Sequence, residues 1–431
     1  MTYIVQGMRE GLNVYFGSCN TTGRYVRLIF SDSTIPLTNL RLCCNIFSTR
    51  RQSRGDQGPQ GQDSRLEVAR MLIGFGKDAV AQKKDGWTLL HFASHSGQVE
   101  VAHMFVDRGT NVTAQSKDGD TAIHPASHQD QVNVVHMLQV DVARMLIEDG
   151  ADVTSQSTDG DTPLHVASHQ GQINVAHMLI ERGADVTAQN VDGDAPLHLA
   201  LYQGQFDVAR LLIEHGADVT AQNTVGDTPL HVASYQGQVD VTHMLIERGA
   251  NVTAQNMDGD TSLHLALYRG QVDAARVLIE HGADVTAQNM NGDTPLHVAS
   301  YQGQVDVAHM LIERGANVTA QNMDGDTSLH LALYRGQVDA ARVLIEHGAD
   351  VTAQNMNGDT PLHVASYQGQ VDVAHMLIER GANVTAQNTD GDTPLHLAHG
   401  QVDVANMLHK YDAGADVTGG NKYGDITSGV I

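Results

Sequence analysis

The chain is poor in the residues that staple or rigidify small folds: three cysteines, one tryptophan and nine prolines among 431 residues, with aromatics at 4 %. Cys19, Cys43 and Cys44 all lie near the N-terminus, so nothing downstream is closed by disulfides, which fits a reducing compartment. No apolar run approaches the roughly 18 residues a membrane-crossing helix needs, and the first residues lack the basic-then-apolar order of a secretory leader. A cytoplasmic location is the expectation, and the sequons at Asn251, Asn317 and Asn383 are then incidental. Cations are scarce too: 26 Lys plus Arg face 50 Asp plus Glu, a net charge of −24. Residues 1–54 carry seven Arg against Glu10 and Asp32, a net of +5, which leaves −29 for the remainder. Such a surface repels phosphate backbones and anionic headgroups, so nucleic acid and membranes are excluded as partners of the main body. Its acidity also favours solubility.

What the chain has in abundance is itself. Asp258–Met323 and Asp324–Thr389 are the same 66 residues, differing only at the last position, and each contains two related 33-residue phrases. A fixed period of this length marks an array of stacked units, each burying its apolar face only against its neighbours.

One unit, Asp324–Met356, can be read residue by residue. Asp324-Gly325 signals a turn, and Thr327 an N-cap; sister units place Pro295, Pro361 or Pro394 at the first helical position, where a missing N–H costs nothing. A short helix through Leu329, Ala332 and Leu333 ends at Gly336. A second carries Val338, Ala341, Val343, Leu344 and Ile345 at helical spacing and ends near Gly348, suited to a left-handed cap. Ala349–Ala353 then extends towards the next turn at Asn357-Gly358. The unit is helix–turn–helix plus a projecting hairpin.

Thr162-Pro163-Leu164-His165-Val166-Ala167 and Gly183-Ala184-Asp185-Val186, recurring along the chain, resemble the ankyrin repeat, whose period and Thr-Pro-Leu-His-x-Ala signature they share. The resemblance implies an all-α ankyrin-repeat solenoid with projecting β-hairpin loops. It covers ten units over residues 85–422, preceded by a partial repeat at 65–84 and followed by a tail at 423–431. Residues 1–64 fall outside it, as a disordered or foreign segment whose Gln52–Ser64 stretch has linker composition; Tyr25–Phe30 within it is strand-like. Two departures stand out. The unit Asp118–Thr158 has 41 residues, with a duplicated Gln-Val…Met-Leu phrase and Pro125 inside its first helix, so a lengthened second helix or a bulged loop is expected there. The last unit loses two residues before Gly400 and gains two before Gly414, an irregular, capping turn.

The 24 histidines invite a metal reading. The signature set His165, His198, His231, His264, His297, His330, His363 and His396 repeats at a helix spacing of about 8–10 Å, too far for shared zinc bonds near 2 Å. By resemblance to the family, they pack and bond to a neighbouring unit's backbone. His215, His281 and His347 close second helices where Arg182, Arg248, Arg314 and Arg380 stand elsewhere, so they compensate the helix dipole. The Gly55–Gly61 stretch lacks the Lys-Ser/Thr ending of a phosphate loop, and the repeated Asp258, Asp260, Asp293, Asp324, Asp326 and Asp359 form no inequivalent pair. Neither catalysis nor a metal or other cofactor is therefore expected.

The remaining candidate is a binding surface. The resemblance implies that hairpin tips and the exposed end of the first helix line a concave groove. There the chain repeats Tyr202, Tyr235, Tyr268, Tyr301, Tyr334 and Tyr367, each 33 residues apart, with Arg269 and Arg335 beside them and an aspartate row that includes Asp260 and Asp326. Tyr and Arg are enriched among interface hot spots. Upstream, Lys83, Lys84, Trp87 and His95 break the uniformity, and an exposed Trp87 flanked by lysines is the most distinctive contact candidate. The expectation is a monomeric, non-catalytic scaffold or adaptor for a protein partner, with charge favouring a basic one. The alternatives are a repeat arm of a signalling NTPase without its nucleotide-binding domain, and a mechanical spacer.

Overall fold

The computed structural model describes residues 12–19, 23–30, 85–128 and 133–411. The expected partial repeat at 65–84, the candidate residues Lys83 and Lys84, and the tail at 423–431 lie outside them. The strand-like Tyr25–Phe30 belongs to a two-stranded antiparallel hairpin, β1 (Leu12–Cys19) with β2 (Gly23–Phe30), in the register Leu12↔Phe30 to Cys19↔Gly23. From residue 85 on, every described element is a helix, and the chain is an all-α repeat solenoid. Contacts divide it into two compact units, with the main division of the chain after Asp152.

The first unit holds α1 (Leu89–His95), α2 (Val99–Val106), α3 (Ile123–Ala126) and α4 (Asn133–Glu148). α1 packs on α2 and α3, and α4 closes against all three. Its core is Leu90, Phe105, Ile123, Val142 and Leu146, all at most 1 % exposed. Pro125 sits in α3, which is only four residues long; proline supplies no N–H to continue a helix. The additional residues of this repeat extend its second helix instead: α4 has 16 residues where α10 below has nine.

The second unit repeats one pattern. First helices are α5 (Pro163–Gln170), α7 (Pro196–Tyr202), α9 (Pro229–Gln236), α11 (Ser262–Tyr268), α13 (Pro295–Gln302), α15 (Ser328–Tyr334), α17 (Pro361–Tyr367) and α19 (Pro394–Leu397). Second helices are α6 (Ile173–Glu181), α8 (Phe206–Glu214), α10 (Val239–Glu247), α12 (Val272–Glu280), α14 (Val305–Glu313), α16 (Val338–Glu346), α18 (Val371–Glu379) and α20 (Val402–Tyr411). Each first helix packs on the next first helix, and each second helix on the next second helix. Leu263, Ala266, Leu267 and Leu278 are fully buried, as are Leu329, Ala332, Leu333 and Leu344 one copy later. The four-residue α19 marks the shortened last repeat.

Two kinds of repeat alternate, so the structural period is 66 residues. The kind that contains α12 buries Ala274, Ala275, Val277, Leu278 and Ile279, whereas the kind that contains α10 buries only Val241, Thr242 and Leu245 of its second helix. Their junctions differ as well. The Gln238 side-chain amide donates to Leu201 O (2.8 Å) and the Arg248 guanidinium to Ile213 O (2.8 Å) in the preceding repeat. The same bonds recur at Gln304 and Arg314, then at Gln370 and Arg380.

Candidate partner-binding face

The signature histidine organises each repeat from within. In α11, Nδ1 of His264 accepts from the Thr261 backbone N–H (3.2 Å) and lies 2.9 Å from the Thr261 hydroxyl, while Nε2 reaches Asp293 O of the next repeat (3.1 Å). A carbonyl can only accept, so Nε2 carries the proton and the ring is the neutral tautomer. Burial drives the same state: the pKa values of His198, His264 and His330 fall to about 4, chiefly by desolvation. The inter-repeat backbone bond expected of this residue is present from His165 to His363 and fully occupies those imidazoles. In the last repeat His396 is half-buried, and its Nε2, with no following finger to reach among the described residues, has no hydrogen-bond partner.

The loops between repeats are held finger to finger. Asn289 accepts from the N–H groups of Asn291 and Asp293 (both 3.0 Å) and donates to Asp260 Oδ1 of the previous finger (2.8 Å). Backbone bonds run alongside: Met257 to Val225 O, Met290 to Asp258 O, Met323 to Asn291 O and Met356 to Asp324 O. Each finger is a tight turn; pairing within it is limited to isolated bridges, Gln255↔Thr261 and Gln321↔Thr327 among the described residues, where full β-hairpins were expected. The turn needs glycine twice over. Gly259 has φ +74, and a Cβ there would stand 2.9 Å from Met290 N, closer than a Cβ can approach a backbone atom.

This network corrects two of the sequence candidates. Asp260 and Asp326 are 9 % and 8 % exposed, and each accepts from an asparagine of the next finger (2.8 and 2.9 Å). Burial raises their carboxyl pKa values. They hold the fingers in register, leaving contact with solvent to Asp258 and Asp324 at the tips.

The tyrosine row splits in two. Tyr202, Tyr268 and Tyr334 accept through their hydroxyls from Asn223, Asn289 and Asn355 (2.9–3.0 Å), and burial among carboxylates raises their pKa values. Tyr235 and Tyr301 instead lie under the guanidinium groups of Arg269 and Arg335, each 4.6 Å from the ring centre. Tyr367, in the last full repeat, is 64 % exposed.

Trp87 is half-buried, where the sequence reading has it exposed. Its ring packs against His91 (5.8 Å), Phe92 (5.0 Å) and His95 (5.7 Å). Trp87, just before the α1 cap, and His95, at the end of α1, thus belong to one aromatic cluster.

One feature of the face carries little signal in the sequence. Met257, Met290, Met323 and Met356 follow one another on successive finger tips, 63 %, 64 %, 63 % and 72 % exposed, with Val191 and Val225 (62 % and 53 %) upstream. A methionine at a turn is unremarkable singly; its 33-residue recurrence is the clue.

Helix pairs stacked through a buried signature histidine, with a bonded finger between them, define a helical repeat protein of the interaction type. Profiles described as "Ankyrin repeats (3 copies)" match residues 61–141, 187–256, 230–322, 287–355, 319–388 and 354–420, and one described as "Ankyrin repeats (many copies)" matches 146–200. The chain belongs to the ankyrin repeat family, whose members generally serve as protein–protein interaction modules. No curated protein matches the chain.

Proposed function

We propose that the chain is a non-catalytic binding scaffold that holds an elongated protein segment along its finger tips and first-helix ends. The observation that carries this is the row of four exposed methionines, flanked by the exposed acids Asp258 and Asp324. Methionine is flexible and polarizable and repacks around varied apolar partners. An acidic rim beside it favours a partner that alternates apolar and basic side chains. Tyr367 and the Arg-capped Tyr235 and Tyr301 supply larger contacts on the same side, and the Trp87 cluster gives the first repeats a distinct contact.

The test is capture and mapping with the full chain beside two variants, one with all four methionines changed to Gln and one with Trp87→Ala. Loss of at least tenfold in affinity for the captured partner in the methionine variant supports the reading. A partner whose affinity is unchanged in both variants, while crosslinking to the second helices, overturns it.

A further inference from the structure

The signature histidines from His165 to His363 are buried and their nitrogens committed. A second set stands on the outer rim, on the second helices, where the 66-residue alternation brings them together in pairs. His177 meets His215 with ring centres 5.9 Å apart, and His243 meets His281 and His309 meets His347 at 5.2 Å, all edge-on. One member of each pair lies in a second helix, and the other closes the second helix of the next repeat. At the intervening junctions the corresponding residues are Arg210 and Arg248, then Arg276 and Arg314, so histidines face each other only at every second junction.

We propose that each of these three pairs is a two-histidine site for a divalent transition-metal ion of the zinc, nickel or copper type. Two imidazoles that share one ion at about 2.0–2.1 Å hold their ring centres roughly 5 Å apart, the separation found at His243–His281 and His309–His347. Imidazole suits these metals. The tautomer is also set: Nδ1 of His215, His281 and His347 lies 2.8 Å from the carbonyl oxygens of Leu211, Val277 and Val343. Each Nδ1 must therefore carry the proton and donate, which leaves Nε2 as a lone pair. A donor bond to a backbone carbonyl is the usual outer support of a metal-binding histidine. On the other side of the first pair, His177 Nδ1 stands 3.5 Å from Glu181, again leaving Nε2 for an ion. His215, His281 and His347 are exposed, so water can complete the coordination. No group of three or more donor side chains occurs among the described residues, and each site is an open one with two protein ligands. A bound ion would tie the second helices of neighbouring repeats together.

The chain contains its own control. At the fourth equivalent place His375 faces Tyr411, with ring centres 5.9 Å apart and the tyrosine hydroxyl 3.1 Å from Nε2. The stacking survives there without a second imidazole, so His375 should hold no ion.

The experiment is a Ni2+ titration of the full chain by calorimetry, beside a variant carrying His215→Gln, His281→Gln and His347→Gln and the reciprocal variant carrying His177→Gln, His243→Gln and His309→Gln. Cysteines and the N-terminus give the same background in all three. Wild type is expected to take up about three more ions than either variant, single substitutions to lose one each, and His375→Gln to lose none. Saturating Zn2+ should also raise the wild-type Tm by a few degrees and leave both triple variants unmoved. Equal uptake by wild type and either triple variant overturns the proposal, as does a stoichiometry that His375→Gln lowers.

Discussion

The first unit, from Leu89 to Glu148, and the copied stack from Pro163 to Glu379 share their interior and differ in what they display. His91 is arranged as His264 is: Nδ1 accepts from the Thr88 N–H (3.2 Å) and Nε2 reaches Asp120 O of the next repeat (2.9 Å). The Lys117 N–H donates to Asp85 O (2.9 Å), as Met290 does to Asp258 O. Only the side-chain tie between fingers has changed. In the stack it joins an Asp to an Asn 29 residues later; in the first unit those two positions are Trp87 and Ser116. Ser116 accepts from the Asp118 and Asp120 N–H groups (3.1 Å) as Asn289 does from its own finger, but it has no amide to donate and the facing Trp87 indole has no acceptor, so the tie between fingers is absent here. Buried backbone satisfaction is held constant, and the finger surface is where the two regions diverge.

Acid should break this comparison most strongly. The histidine pKa is lower in the folded than in the unfolded chain, so the unfolded state binds more protons between about pH 6.5 and 4, and stability falls as pH drops through that window. With folded values of about 4 for His198, His264 and His330, each costs roughly 2 kcal/mol at pH 5 relative to neutral pH. Burial also lowers the pKa of His165, His231, His297 and His363, while in the first unit His91 is shifted the same way. Hydrogen exchange at pH 7 and pH 5 should therefore show protection lost from the copied stack before the first unit. At lower pH the raised Asp194, Asp260 and Asp326 carboxyls act in the opposite sense, because a carboxyl easier to protonate when folded favours folding as pH falls. An equal loss of protection in both units would contradict the assignment of these histidines as buried and neutral.

A smaller effect tests what the two regions share. Gly86→Ala and Gly259→Ala each place a Cβ against the backbone of the next finger, 2.6 Å from Lys117 N and 2.9 Å from Met290 N, at φ +81 and +74. Gly282 has φ +85 with nothing within 4 Å. We expect about 1 kcal/mol lost for Gly282→Ala, from φ alone, and about 2–3 kcal/mol for the other two, where the fingers must also part. Urea midpoints measure all three. If Gly86→Ala is as mild as Gly282→Ala, the first finger does not obey the rule of the stack.

Architecture was almost entirely legible in the sequence because the constraints that build it are local and repeated. Thr261, His264 and Gly259 each satisfy a fixed backbone need, so their spacing carries the fold directly. The surface was less legible, for a physical reason. Whether Asp260 faces solvent or Asn289 depends on a neighbour one repeat away, and the sequence presents both as polar residues of a loop. Trp87 reads as exposed beside Lys83 and Lys84 until Phe92 and His95 are seen to come round one turn of α1. The histidine pairs are invisible within any single repeat, since His243 and His281 belong to different kinds of repeat and meet only across the junction.

The mildest prediction concerns the two halves of the tyrosine row. Arg269 covers Tyr235 at 4.6 Å and Arg335 covers Tyr301 at the same distance, whereas the shortened last repeat has His399 before the corresponding Gly400 and no arginine there, and Tyr367 is 64 % exposed. An exposed cation–π contact contributes about 0.5–1 kcal/mol, and Arg269→Gln should cost that amount, which a Tyr235→Leu background removes in a double-mutant cycle. Arg335→Gln should behave identically, because the copies are identical. The coupling has a functional consequence that stability does not report. A guanidinium already resting on Tyr235 must be displaced or shared when a partner uses that ring, while Tyr367 is open. Tyr367→Ala should thus weaken the captured partner more than Tyr235→Ala, and Arg269→Gln should narrow the gap between them; equal losses at both tyrosines would mean the row is read uniformly, arginines included.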